Sequence, residues 1–178
     1  MPEGIQQHAH ASTGLSEIAE EFKLLDGRRR HGGLSMGESE RYHSLFARLS
    51  DALASQERHR RVDARQFLRV KFPMQLRLRT PAGDVVADCL DFGGGGCAVA
   101  CPETFEMGGD VWLDGATIEG RAYSLRGRAV VAWARSPDNG TPQGYGLRFC
   151  IDSRDMRDQV DRLLYRVLDR FLTGPTTH

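Results

Sequence analysis

Lysine is almost missing from this 178-residue chain: of its 24 lysines and arginines, only Lys23 and Lys71 are lysine. Net charge is missing too, because 24 acidic side chains balance the 24 basic ones. A zero balance argues against general nucleic-acid binding, which needs a broad basic surface. No run approaches the roughly 20 apolar residues that cross a bilayer, and AVVAWA (Ala129–Ala134) is among the longest apolar stretches. The start, MPEGIQQHAHAST, lacks the basic end and apolar centre of a signal peptide, which points to a cytoplasmic protein. Cysteine is sparse, and Cys89, Cys97, Cys101 and Cys150 form no CxxC pair. On one strand face Cys97 and Cys101 stand about 13 Å apart at roughly 3.3 Å per residue, beyond the roughly 7 Å reach of a disulfide. All four read as small buried thiols, not as metal or redox groups. No His/Cys/Asp grouping recurs at catalytic spacing, and His43 and His59 read as surface residues. The chain is therefore read as a non-enzyme that needs no metal or cofactor.

What is present is globular, at 40% hydrophobic and 27% charged residues, and the length suits one domain plus an appendage. Residues 1–11, with His8 and His10, read as a disordered tail. A helical region follows over 12–56. In it Leu15, Ile18, Ala19, Phe22 and Leu25 form one stripe that Gly27 can end. A second helix begins near Ser35, which forms a capping box with Glu38, and carries Tyr42, Leu45, Phe46, Leu49, Ala52 and Leu53 on one face. That face packs either within the chain or against a second copy, giving a homodimer.

From residue 67 the apolar period falls to two. Val70, Phe72, Met74, Leu76 and Leu78 alternate with Arg69, Lys71, Gln75, Arg77 and Arg79, a half-buried strand in which Pro73 marks an edge or bulge. VVADCLD, GCAVAC, DVWLDG, SLRGRAVVAWAR and YGLRF supply five more strands, separated by turn residues. Trp112 and Trp133 fall within them and read as core. The expected fold is mainly β with flanking helices (α+β): a six-stranded antiparallel barrel over 67–152, two N-terminal helices, and one C-terminal helix over 153–173. Met156, Val160, Leu163, Leu164, Val167, Leu168 and Phe171 form the last helix's stripe, with Asp152 or Ser153 as cap.

Two clusters remain. CLDFGGGGCAVAC places four glycines, Gly93–Gly96, directly after Asp91. No Gly-Lys-Ser/Thr follows, so this is not a nucleotide-triphosphate loop. No helix follows either, so it is not a dinucleotide fingerprint. The run can turn tightly and admit a ligand close to backbone N–H groups. The other cluster is the charged segment 57–66, with Arg58, Arg60, Arg61 and Arg65. A strand leaving this segment and a second ending at Asp91 can bring the clusters to one side of a barrel.

Together they resemble the PilZ family, whose members bind the bacterial second messenger cyclic di-GMP. Arg60-Arg61-Val62-Asp63-Ala64-Arg65 is similar to the family's Arg-Arg-x-x-x-Arg, and Asp91-Phe92-Gly93-Gly94-Gly95-Gly96 to its Asp/Asn-x-Ser-x-x-Gly. Gly93 stands where the family has serine. The resemblance runs from about Arg58 to Phe149, YGLRF being similar to the family's last strand.

The resemblance implies a cyclic di-GMP receptor. Arg60, Arg61 and Arg65 would hold phosphate and the outer edge of guanine, since arginine forks match both. Asp91 would accept from guanine N1–H and N2–H₂, Gly93 would replace the serine contact, and Gly96 would clear space for the ligand. The arginine segment would close on the ligand and re-aim the N-terminal helices toward a protein partner. The alternative is an adaptor that keeps the fold, has lost the nucleotide at Gly93 and works through protein contacts. An enzyme on a split barrel, such as a flavin reductase, is the remaining one.

Overall fold

The computed structural model describes residues 4–54, 67–137 and 143–174, with only the backbone described for 4–13. The arginine segment 57–66, with Arg60, Arg61 and Arg65, lies outside the described residues. Two compact units make up the chain, residues 69–164 and residues 1–68 with 165–178.

The first unit is a closed barrel. Its strands are β1 (Arg69–Val70), β2 (Met74–Thr80), β3 (Gly83–Gly93), β4 (Gly96–Ala100), β5 (Asp110–Ile118), β6 (Arg121–Arg135) and β7 (Gly144–Cys150). They run in the order β1-β3-β2-β5-β6-β7-β4, and β4 pairs back onto β3. Six strands thus close antiparallel, as expected, and β1 is a two-residue bridge on β3. Pro73 separates β1 from β2: it has no N–H for a ladder, and the expected single strand is broken there. The alternation holds along β2, where Met74, Leu76 and Leu78 are buried and Gln75, Arg77 and Arg79 are exposed. Val85, Phe92, Cys97, Val99, Val111, Leu113, Leu125, Val131, Tyr145, Leu147 and Phe149 complete the interior. The expected core role of the tryptophans does not hold: Trp112 is 54% exposed and Trp133 42%. Trp112 lies between inward-facing Val111 and Leu113, so its side chain points out. Trp133 shares its parity with buried Val131, but a register shift between them turns it outward.

α3 (Arg154–Thr173) begins with Ser153 as cap, its hydroxyl accepting from the Met156 N–H at 3.1 Å. Its first half belongs to the barrel unit. Met156 occupies the space a side chain at Gly127 would need, and the Gln159 side-chain oxygen accepts from the Arg126 N–H at 2.8 Å. No helix among the described residues is long and apolar enough to cross a membrane.

The second unit holds α1 (Gly4–His31), α2 (Met36–Ala54) and the second half of α3. α1 starts inside the expected tail and runs through Gly27 to His31, so Gly27 does not end it. The stop falls at Gly33, whose φ of +80° is the left-handed conformation that glycine tolerates. The capping box of α2 forms as expected: Ser35 N–H donates to Glu38 Oε2 at 3.0 Å and Glu38 N–H to the Ser35 hydroxyl at 3.4 Å. Tyr42, Leu45 and Leu49 are buried, the Tyr42 ring stacking on Phe22 of α1 at 5.3 Å between centroids. The helices thus pack within the chain, and the apolar face of α2 is covered by α1. Asp26 lies at the middle of this unit, 1% exposed. It accepts from Tyr42 at 3.3 Å, from Tyr165 of α3 at 2.7 Å, from Arg29 at 3.2 Å, and from Arg30. Burial, and then the Asp26 charge, pushes the Tyr42 hydroxyl up to about 12 and moves Tyr165 the same way.

Candidate ligand-binding face

The site is built on an irregularity in β3. Cys89 and Asp91 share a parity, so a regular strand would turn both inward. A register shift between them sends Asp91 to the outer face while Cys89 stays buried. The Asp91 side chain is 13% exposed. Its Oδ1 accepts from the Ala98 N–H at 3.1 Å and from the guanidinium of Arg69 on β1. Both donors use one oxygen.

Cross-strand pairs extend this point into a row. Asp91 pairs with Ala98, Ala98 with Gly146, and Gly146 with Trp133, crossing β3, β4, β7 and β6 on one face. Beside it, Ala100 pairs with Gly144 and Gly144 with Arg135; on the other side, Gly93 pairs with Gly96 and Gly96 with Arg148. The result is a buried strip of alanine and glycine, with Asp91 and Arg69 at one end and with the Trp133 and Arg135 side chains lying over Gly146 and Gly144 at the other. A side chain at Gly146 would meet the Trp133 indole at 1.9 Å, and one at Gly144 the Arg135 guanidinium at 3.2 Å. Two register shifts, one in β3 and one in β6, therefore set an acid and an aromatic ring at opposite ends of the same row.

The four glycines divide their roles. Gly93 and Gly96 are paired strand residues, and Gly94 and Gly95 form the turn. Gly96 meets a structural need: a Cβ there would lie 2.3 Å from the Leu147 carbonyl oxygen, so β4 and β7 approach closely only with glycine. Its expected service to a ligand is joined by this packing requirement. The turn is tethered at both carbonyls, Gly94 O accepting from Arg157 at 2.8 Å and Gly95 O from the Phe149 N–H at 3.0 Å. Behind it, the Cys97 thiol and burial push the Cys89 thiol well up, so it stays protonated and unreactive.

Of the six expected ligand residues, Asp91, Gly93 and Gly96 share this region. Arg69, Trp133, Arg135 and Arg148 were not foreseen. A signal for Arg69 was there: Arg65-Gln66-Phe67-Leu68-Arg69 repeats the Arg-x-x-x-Arg spacing four residues on.

The family model for the PilZ domain matches residues 63–166, more than half of the chain. The chain belongs to the PilZ domain family. The PilZ match takes in Arg65 and Arg69 and begins after Arg60 and Arg61. Among solved structures, the chain is similar to the inhibitor of motility MotI/DgrA of Bacillus subtilis, at 18% identity and a TM-score of 0.50, over 65% of this chain and 56% of that one. It thus spans just over half the length of that relative. The PilZ domain of YcgR from Escherichia coli, determined with c-di-GMP, is 14% identical with a TM-score of 0.47, over 61% of this chain and 94% of that one. A tetrameric PilZ protein of Xanthomonas campestris, self-assembled through a helical bundle, is 19% identical with a TM-score of 0.38, over 94% of this chain and 80% of that one. No curated protein matches the chain.

Proposed function

We propose that this PilZ protein is a receptor for cyclic di-GMP and carries its ligand on the strip between Asp91 and Trp133. The observation that carries the reading is the Arg69–Asp91 pair at the head of a row otherwise made of alanine and glycine. An arginine held by a carboxylate presents its remaining N–H groups in a fixed fork, which suits guanine O6 and N7 or a phosphate. Asp91 keeps Oδ2 for a guanine N1–H or N2–H. A flat, doubly charged ligand would reach the strip by displacing the Trp133 and Arg135 side chains from Gly146 and Gly144, and the half-exposed Trp133 ring offers it a stacking surface. Arg65 and Arg69 are the preferred arginine pair, with Arg60 and Arg61 as further phosphate ligands. Closure of segment 57–66 over the ligand would re-orient the N-terminal helices toward a protein partner.

The test is calorimetry of the full chain with cyclic di-GMP and cyclic di-AMP, with Trp133 fluorescence followed in a Trp112→Phe background. The guanine ligand is expected to bind preferentially and change Trp133 emission, because adenine does not offer Asp91 the same two donors. Arg69→Ala is expected to weaken binding about ten- to a hundredfold, the worth of one charge-assisted hydrogen bond. Equal heats for the two ligands, or none for either, would defeat the reading. In that case the adaptor, favoured by glycine at position 93, becomes the better account.

A further inference from the structure

Arg157 lies in the first turns of α3, outside both motifs, and donates from Nη1 to the Gly94 carbonyl oxygen at 2.8 Å. Gly94 and Gly95 have no side chains to hold their turn, and glycine has more backbone states to lose than any other residue. The orientation of the peptide between them therefore depends on donors outside the turn. A peptide is planar and trans, so its C=O and N–H point in opposite directions. Holding the Gly94 carbonyl toward Arg157 directs the Gly95 N–H away from α3. Gly95 is the one member of the run that is only partly covered; Gly93, Gly94 and Gly96 are buried. Its own carbonyl is fixed by the Phe149 N–H at 3.0 Å, so both flanking peptides are set.

We propose that Arg157 is a positioning residue of the ligand-binding face: through the Gly94 carbonyl it presents the Gly95 N–H as a donor to a ligand phosphate. Outward backbone N–H groups in turns are anion donors, and one set in advance costs no ordering when the ligand arrives. The inference rests on the receptor reading and adds to it a residue on the C-terminal helix.

The experiment uses the ¹⁵N-labelled full chain as wild type, Arg157→Lys and Arg157→Ala. Glycine amides are followed without ligand and during titration with cyclic di-GMP, and each protein is melted. In the wild type the Gly95 amide proton is expected to move downfield at saturation. Arg157→Ala is expected to broaden the Gly95 amide before ligand is added and to bind about three- to tenfold more weakly, up to the worth of one hydrogen bond. Arg157→Lys should restore most of the affinity, since an ammonium can still reach one carbonyl. Unchanged affinity and an unchanged Gly95 amide in Arg157→Ala overturn the inference. So does a weakening that tracks a lowered melting temperature and is not restored by lysine, which would make Arg157 merely structural. No binding by the wild type instead sinks the receptor reading, and the phosphate role with it. That outcome is distinct, because the ligand-free Gly95 amide still separates Arg157→Ala from the wild type.

Discussion

The barrel and the helical unit solve the same problem with opposite chemistry. Inside the barrel, Leu76, Val99, Leu125 and Leu147 are fully or almost fully buried, and carboxylates stay on the outer face. Backbone ladders close on themselves, so strand register already specifies which residues meet. The helical unit has no ladder between its elements. At its centre is Asp26, with donors from three helices. Apolar stripes let helices slide and rotate at small cost, whereas a buried carboxylate with four donors has one good arrangement. The lesson is that the barrel takes its uniqueness from the backbone and the helical unit takes it from a polar node. Removing one partner of a buried ionic group is far costlier than losing a surface pair.

Both tryptophans lie in the barrel, so their fluorescence reports it alone, while the far-ultraviolet signal is dominated by helix. Asp26→Ala is the largest expected break, at about 3–5 kcal/mol, because Arg30 and two tyrosine hydroxyls lose their acceptor. Its helical signal should melt well before its tryptophan signal. If the two melt together, with an unchanged midpoint, the node does not organise the helices.

Alkali probes the same node more gently. The folded Tyr42 hydroxyl titrates near 12 against an ordinary value of 10.0, so the fold holds its proton more tightly. That contribution is complete below about pH 10 and is lost as the pH rises through about 12, roughly 2–3 kcal/mol in all. The barrel has alkaline losses of its own, since burial, then Glu103, pushes the Cys101 thiol up to about 11. Tyr42→Phe tells them apart: it should remove about half of the helical unit's loss across that window, since Tyr165 is shifted the same way, and leave the tryptophan signal as in the wild type. An unchanged helical titration would show that Tyr42 carries none of it.

The smallest effect belongs to the barrel's outer face. Gly93 lies in paired, extended backbone opposite Arg69 and Gly96, where serine needs no left-handed conformation. Gly93→Ser should leave both melting signals in place and strengthen cyclic di-GMP binding by at most about tenfold, one neutral hydrogen bond. A weaker complex at unchanged stability would mean that the glycine backbone itself touches the ligand.

Much of this architecture could be read from the chain. The two-residue period from Val70 to Leu78 marked a half-buried strand, and Ser35 with Glu38 marked a helix start, because both patterns act between near neighbours. What failed depends on partners far away in sequence. A register shift is a property of two strands, so nothing around Asp91 or Trp133 announces that each is turned outward. Gly27 looked like a helix end because glycine is poor in a helix interior; the surrounding stripe of Phe22, Leu25 and Asp26 overrode that local cost through burial. The Arg-x-x-x-Arg spacing occurs twice and only the earlier frame has the arginine doublet, so it took the Arg69–Asp91 pair to point to the later one.

The helix α3 is shared between the two units. Its residues to Leu164 belong to the barrel unit and those from Tyr165 to the helical unit, yet the helix is unbroken. Half-helices of this length are marginal alone, since isolated helices need roughly 12–15 residues. Each half is therefore kept helical by the unit that buries it. When the less stable unit opens, amide protons on its side of Leu164–Tyr165 exchange with solvent while those on the other side stay protected. One continuous helix then carries two exchange lifetimes, and the step between them marks where one cooperative folding unit gives way to the next.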